Sequence, residues 1–220
     1  MSLSNLSNKH IVFRRSVSEE DVECIAKLWY DVYQESHAHL VPPELLKDRT
    51  LDTFRIRVKN PVFMEGTIMA MVIVNSGPEE TERLLGFITS RLESYEVYQL
   101  FVAKEARSLG VASKLLQRAE EDFKCFEMSK NGSFCSNPLD NKSSSKKHIT
   151  LHLHASVGNY TAKRFYEKNG WKTVNEEMFQ AEVVVDEKEN IGQLKNGESV
   201  SRIQYFPLHC YRIEKVLALE

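Results

Sequence analysis

The chain predicts an α/β (α+β) fold: a mixed, largely antiparallel central sheet of about seven strands flanked by helices. Two observations carry this reading. Apolar, β-branched runs at 67–74, 84–92 and 95–102 follow one another at short spacing, which favours antiparallel pairing. Segments with helical periodicity stand before, between and after the strand-like runs, so helices cover the sheet. With 220 residues, 42% of them hydrophobic, the chain is long enough for one full-size core.

The elements follow in order. Residues 11–15 form a short apolar and basic strand. Ser18 is an N-cap followed by Glu19, Glu20 and Asp21, which suit a helix dipole, and this helix runs to Glu35. Val22, Ile25, Leu28, Trp29 and Val32 recur on one of its faces. A loop at Pro42-Pro43 precedes a second helix over 45–58, ended near Asn60-Pro61. After the three strands, broken by a turn at Asn75-Ser76-Gly77-Pro78, comes a glycine-led helix over 109–125. Residues 129–147 are rich in Ser, Asn, Lys and Gly and read as a polar insertion. A strand at 148–155 and a helix at 159–169, closed by Gly170, are followed by strands at 178–185 and 200–214. The organisation expected is a flexible tail over 1–10 and one domain over 11–217.

Composition narrows the function. A net charge of −2 gives no general pull toward nucleic acid. No apolar run reaches the roughly 20 residues that cross a bilayer, and the polar N-terminus lacks a signal-peptide core. Cys24, Cys125, Cys135 and Cys210 form no C-x-x-C pair, which suits free thiols in the cytoplasm; a Cys125–Cys135 bridge is the alternative. No cysteine falls in the motif-bearing regions, so none is expected to be a nucleophile.

The chemistry concentrates at Leu100-Phe101-Val102 and the loop Arg107-Ser108-Leu109-Gly110-Val111-Ala112-Ser113. A strand enters a glycine turn, and the helix that follows opens on small residues. Its unpaired N–H groups and dipole form a site for a phosphate or diphosphate. Gly110 lets a ligand approach the backbone, while Ser113, Arg107 and Lys114 supply a hydroxyl and charges. The Walker spacing and the G-x-G-x-x-G fingerprint are both absent.

Arg107-x-x-Gly110-x-Ala112 after Leu100-Phe101-Val102 resembles the acetyl-CoA-binding motif of the GNAT superfamily of N-acetyltransferases, Arg/Gln-x-x-Gly-x-Gly/Ala. Ser108 stands where that motif usually has its first glycine. A second stretch, Asn159-Tyr160-Thr161-Ala162-Lys163-Arg164-Phe165-Tyr166-Glu167-Lys168-Asn169-Gly170-Trp171, is similar to the family's N-x-x-A-x-x-x-Y-x-x-x-G-F, with Trp for Phe at its end. Residues 209–215 resemble the family's last strand, and the element order matches over 11–216.

The resemblance implies the acyl-CoA N-acyltransferase fold and direct acetyl transfer from acetyl-CoA to a primary amine. It implies that the strand carrying Leu100, Phe101 and Val102 splays from the one before Asn159, that pantetheine lies in the gap, and that Asn159 helps hold it. Tyr166 occupies the position of the family's tyrosine acid beside the CoA sulfur, and a phenol of pKa about 10 has a proton to give. Two residues stand open as the base, beside bulk water or a residue not named. Glu96 shares a strand face with Tyr98 and Leu100 by alternation, and histidines match Glu96 and Tyr98 in the related serotonin acetyltransferases. His154 lies five residues before Asn159, where some members carry a glutamate, and an imidazole of pKa about 6.5 suits the task.

His152 and His154 lack a third ligand at metal spacing, so no metal is expected. The resemblance implies that the loop with Glu35, His37 and His39 borders the acceptor site; these residues either bind an amine there or are solvated loop residues, and the second reading is preferred. The partner expected is a small amine, an amino acid or a peptide amine, with no nucleic acid and no membrane; the chain is a monomer or homodimer. The rival reading is a non-catalytic sensor or scaffold of CoA thioesters, which has no use for Tyr166.

Overall fold

The computed structural model describes residues 10–16, 18–76, 79–131, 148–186 and 201–219. β1 (Ile11–Arg15) leads into α1 (Glu19–Ser36). Ser18 caps α1 through a reciprocal pair: its hydroxyl accepts from the Asp21 N–H, and the Asp21 carboxylate accepts from the Ser18 N–H, both at 3.2 Å. Val22, Ile25, Trp29 and Val32 are buried, as their spacing predicts, and Leu28 is partly buried.

The helix expected over 45–58 is two helices, α2 (Pro43–Lys47) and α3 (Leu51–Val58). Thr50 restarts the chain, its side chain capping α3 by accepting from the Thr53 N–H. The second of these helices ends at Val58, close to Asn60-Pro61 as expected, and Pro61 then opens a further helix, α4 (Pro61–Glu65), at a position where a missing N–H leaves no acceptor unpaired.

β2 (Thr67–Ser76), β3 (Glu79–Arg91) and β4 (Glu96–Val102) form the antiparallel set that the sequence predicts. A 3-10 turn at Lys104–Ala106 leads to α5 (Val111–Asn131). This helix starts two residues later than expected and extends into the segment read as the insertion; residues 132–147 lie outside the described residues, as do 1–9 and Cys135. Cys125 is an exposed free thiol on α5. β5 (His148–Ser156), α6 (Tyr160–Lys168), β6 (Lys172–Asp186) and β7 (Ser201–Ala218) complete the chain. β6 begins directly after Trp171, earlier than its apolar alternation suggested.

The seven strands lie in the order β1-β2-β3-β4-β5-β7-β6. Only β4 and β5 are parallel, and they pair at one point, Glu96 with His152. Beyond it the two strands part. A bulge bends β4 at that place: Ser90 faces Val97 and Thr89 faces Gln99, so Tyr98 is the extra residue. The bulge corrects the alternation argument. Leu100 packs with Val97 and Val102 in the cluster beneath α5, whereas Tyr98 and Phe101 pack in the cluster beneath α1. Glu96, Tyr98 and Leu100 therefore do not share one face.

Each face of the sheet has its own core. On one, Leu115, Leu116, Ala119 and Phe123 of α5 meet Leu85, Ile88 and Ile213. On the other, the Trp29 ring of α1 meets Phe54 of α3, Phe63, Phe87 and Phe101, stacking on Phe63. The β6–β7 hairpin reaches round to this second core, where Ala181 and Val183 are buried.

A polar clamp joins α5, α6 and β7. The Lys215 ammonium donates to both oxygens of Glu120, at 2.9 and 2.8 Å, and to the Asn169 carbonyl at 2.9 Å. The indole of buried Trp171 donates to the same carboxylate at 2.9 Å. Glu120→Ala leaves the ammonium and the indole without their acceptor. It is expected to destabilise the fold by about 2–3 kcal/mol, read from the midpoint of urea unfolding.

Candidate active site

The parting of β4 from β5 opens a cleft of about 880 Å³. Its far end is the start of α5. Ser108 and Gly110 both take left-handed backbone conformations, with φ of 67° and 76°, and a side chain at Gly110 would meet no atom within 4 Å. Alternating handedness turns successive N–H groups to one side. The first intrahelical bond runs from the Lys114 N–H to the Gly110 carbonyl at 3.0 Å. The amides of Val111, Ala112 and Ser113 precede it and have no helical acceptor. All three residues line the cleft together with Gly110, Ser108 and Arg107. These donors and the helix dipole suit a diphosphate.

Leu100, Phe101, Val102 and Asn159 also line the cleft, as expected. Asn159 caps α6, its Oδ1 accepting from the Ala162 N–H at 3.1 Å, which leaves the amide nitrogen to donate. Leu109 departs from the expectation: it packs against the core and is not part of the wall. Arg107 is already engaged, donating to both oxygens of Glu35 at 3.0 and 2.7 Å. Glu35 is therefore a partner of the loop rather than an isolated surface residue.

Tyr166 projects from α6 into the same cleft and is 8% exposed. Burial pushes its phenol well above the usual range, so the hydroxyl keeps its proton at any working pH. His154 lies where the cleft meets a second, inner pocket of about 100 Å³. Its Nε2 sits 2.8 Å from Glu177, and its Nδ1 is 3.9 Å from Glu96, too far for a hydrogen bond. The ring stacks on Phe179 at 4.3 Å. Burial lowers the pKa of His154, but Glu96 and Glu177 outweigh it, and the imidazole stands above its ordinary value.

Glu96 lines the inner pocket and not the cleft. Burial raises its carboxyl, yet His154 and Arg91 hold it below the usual carboxylate range, so it stays ionised. Glu96 and His154, offered by the sequence as rival bases, thus lie beside each other, with 3.9 Å between the His154 Nδ1 and a Glu96 oxygen.

The rest of the inner pocket was not foreseen. Tyr98 donates to Glu182 at 2.8 Å and accepts from Arg57 at 2.6 Å. Arg91 binds Glu182 at 2.7 Å and Glu96 at 3.3 Å. Arg49, His37 and Cys210 complete the wall. His37 stacks on Tyr33 at 4.9 Å, and burial drops its pKa to about 4, so it is a neutral ring and not a solvated loop residue. Cys210 is the cysteine the motifs gave no reason to place here. Burial pushes its thiol up to about 12, which keeps it protonated and unreactive. Among the described residues no group of three or more His, Cys, Asp or Glu side chains is arranged to hold a metal.

Residues 71–173 match a family model described as an acetyltransferase (GNAT) domain. The chain carries a GNAT acetyltransferase domain. The matched span runs from β2 through α6, so it holds both walls of the cleft, and the protein is an acyltransferase. Solved structures share the fold. An N-acetyltransferase from Staphylococcus aureus Mu50 is 19% identical with a TM-score of 0.51, over 96% of this chain and 99% of that one. PaiA N-acetyltransferase from Thermoplasma acidophilum, in complex with coenzyme A, is 16% identical with a TM-score of 0.51, over 94% and 98%. A GCN5-related N-acetyltransferase from Sphaerobacter thermophilus is 13% identical with a TM-score of 0.54, over 80% of this GNAT chain and 47% of its own. A search of curated protein sequences finds no match. No helix among the described residues is long and apolar enough to cross a membrane.

Proposed function

We propose that the protein transfers the acetyl group of acetyl-CoA directly to a primary amine. The observation that carries this is the cleft between β4 and β5, with free α5 amides at one end and Tyr166 and His154 at the other. When bound, acetyl-CoA supplies an activated thioester. The amides of Val111, Ala112 and Ser113 hold its diphosphate, and Asn159 donates to the pantetheine arm. The parted edge of β4, at Leu100 to Val102, offers backbone partners to that arm and an N–H to the developing oxyanion.

The acceptor attacks only as a neutral amine, so its proton must leave. His154 is the base: it stands at the junction between thioester and inner pocket, and its raised pKa keeps it able to take a proton near neutrality. Glu96, held ionised behind it, stabilises the imidazolium that forms. Tyr166, protonated at all working pH, gives a hydrogen bond and then a proton to the departing thiolate, and the phenol regains a proton from solvent as His154 releases there the one it took from the amine. Cys210 remains a thiol, which agrees with transfer lacking an acyl-enzyme stage.

Calorimetry with coenzyme A and a free-thiol assay with acetyl-CoA and an amine panel test the reading. Binding together with amine-dependent thiol release is expected. Binding without release identifies a CoA sensor, and no binding removes the transferase assignment altogether.

A further inference from the structure

The inner pocket contains more cation than its own carboxylates neutralise. Glu96 and Glu182 are both tied to Arg91, which does not line the pocket. Arg49 and Arg57 do line it, and among the described residues neither has a carboxylate partner. Arg57 has the Tyr98 hydroxyl and lies over the Trp29 ring at 4.4 Å, and its Nε is unpaired. Arg49 is the stronger case. It is 5% exposed, and both its Nε and its Nη1 are buried with no hydrogen-bond partner. Its guanidinium carbon lies 5.8 Å from the centroid of the Tyr33 ring, whose phenol burial holds neutral.

A buried guanidinium with idle donors is costly unless an anion completes it, and its planar fork matches a carboxylate. The pocket is small, about 100 Å³, and opens onto the cleft at His154, where the acceptor nitrogen must stand. Beside His154 lies the Glu96 carboxylate, 3.9 Å from its Nδ1, which suits an incoming ammonium; Arg49 lines the same pocket and supplies the opposite charge, while Arg57 and Glu182 are joined through the Tyr98 hydroxyl. Trp29, Phe101 and Phe179 also line the pocket and offer apolar contact to the hydrocarbon of a ligand.

We infer that Arg49 is a carboxylate-binding residue of the acceptor site, and that the acceptor is a small free amino acid rather than a simple amine or a peptide. This rests on the transferase reading above and specifies its substrate class. The pocket's size favours the free amino acid, because a peptide chain would have to continue past Arg49 into the aromatic core of α1 and α3.

The test compares each common amino acid with its carboxamide and with its N-terminal dipeptide, under saturating acetyl-CoA. At least one free amino acid should exceed its carboxamide in kcat/KM by about 30-fold or more, the scale of a charged hydrogen-bonded pair. Arg49→Gln should reduce that ratio to near one, and Arg49→Lys should leave it in between, with coenzyme A affinity by calorimetry reporting that the variants are folded. If Arg49→Gln does not fold, the wild-type ratio and Arg49→Lys still decide. Carboxamides or dipeptides used as well as the free amino acids overturn the inference. If no amine turns over, titration of the coenzyme A complex with the same pairs reads the site directly. A preference for the carboxylate keeps the anion site while the transferase reading falls, and equal or absent binding removes the site too.

Discussion

Replacing Tyr166 with Phe lowers kcat by about 10²–10³-fold, the usual range for loss of a positioned proton donor, while coenzyme A affinity by calorimetry stays within a factor of two or so. The substitution removes one oxygen from a side chain that is 8% exposed and keeps the ring that packs against Phe165 and Trp171. Packing should therefore survive, and unfolding curves of the two proteins should superimpose to within about 1 kcal/mol. Burial holds the phenol protonated, so the loss should be equally large across the accessible pH range. A transferase with undiminished kcat in the Phe variant would show that the thiolate leaves without help from Tyr166. A loss confined to KM would make Tyr166 a binding residue instead.

That prediction rests on a residue the sequence already singled out, and the reason is local. The features around Tyr166 and Gly110 are written in short stretches: a strand end, a left-handed turn, small residues at a helix start, an asparagine cap. Such features follow from a few neighbouring residues, and Val111 to Ser113 and Asn159 stand where their spacing put them. Helix interruptions were harder. The stop read near Asn60-Pro61 holds for α3, but the start of α4 at Pro61 was not read, and the bond from the Val62 N–H to the Asn60 side chain is what caps it. The bulge at Tyr98 leaves no mark in composition, and it puts Tyr98 and Leu100 on opposite faces of the sheet.

The inner pocket was the least legible part because it is assembled from distant segments. Arg49 comes from the turn before α3, Glu96 from the start of β4, Glu182 from β6 and Cys210 from β7. No spacing rule links them. What joins them is the order of the sheet, which sets β7 between β5 and β6 and lets the last hairpin close over α1 and α3. Pairs such as Arg91 with Glu182 depend on that closure alone.

The pH dependence separates the two candidate bases. Glu96 sits below the ordinary carboxylate range and is ionised throughout neutral pH, so a rate governed by it would be flat there. His154 sits above the ordinary imidazole value, so its basic form, and with it kcat/KM, should grow as pH rises through a limb above about 6.5. The acceptor amine produces a rising limb of its own, and Glu177 distinguishes them. Glu177 touches His154 Nε2 and contributes to the raised value. Glu177→Gln should therefore move a His154 limb to lower pH and leave an amine limb where it was. Stability must change in the same sense. A folded-state pKa above the unfolded one means stabilisation that is complete below the unfolded value and is lost as pH rises through the folded value. Glu177→Gln should thus weaken the fold more at pH 5 than at pH 8. His154→Gln should lower kcat by about 10²–10³-fold and abolish the limb, while Glu96→Gln should keep the limb and shift it downward. A His154→Gln variant with undiminished kcat and an unchanged pH profile assigns the limb to the amine alone and passes the proton to water.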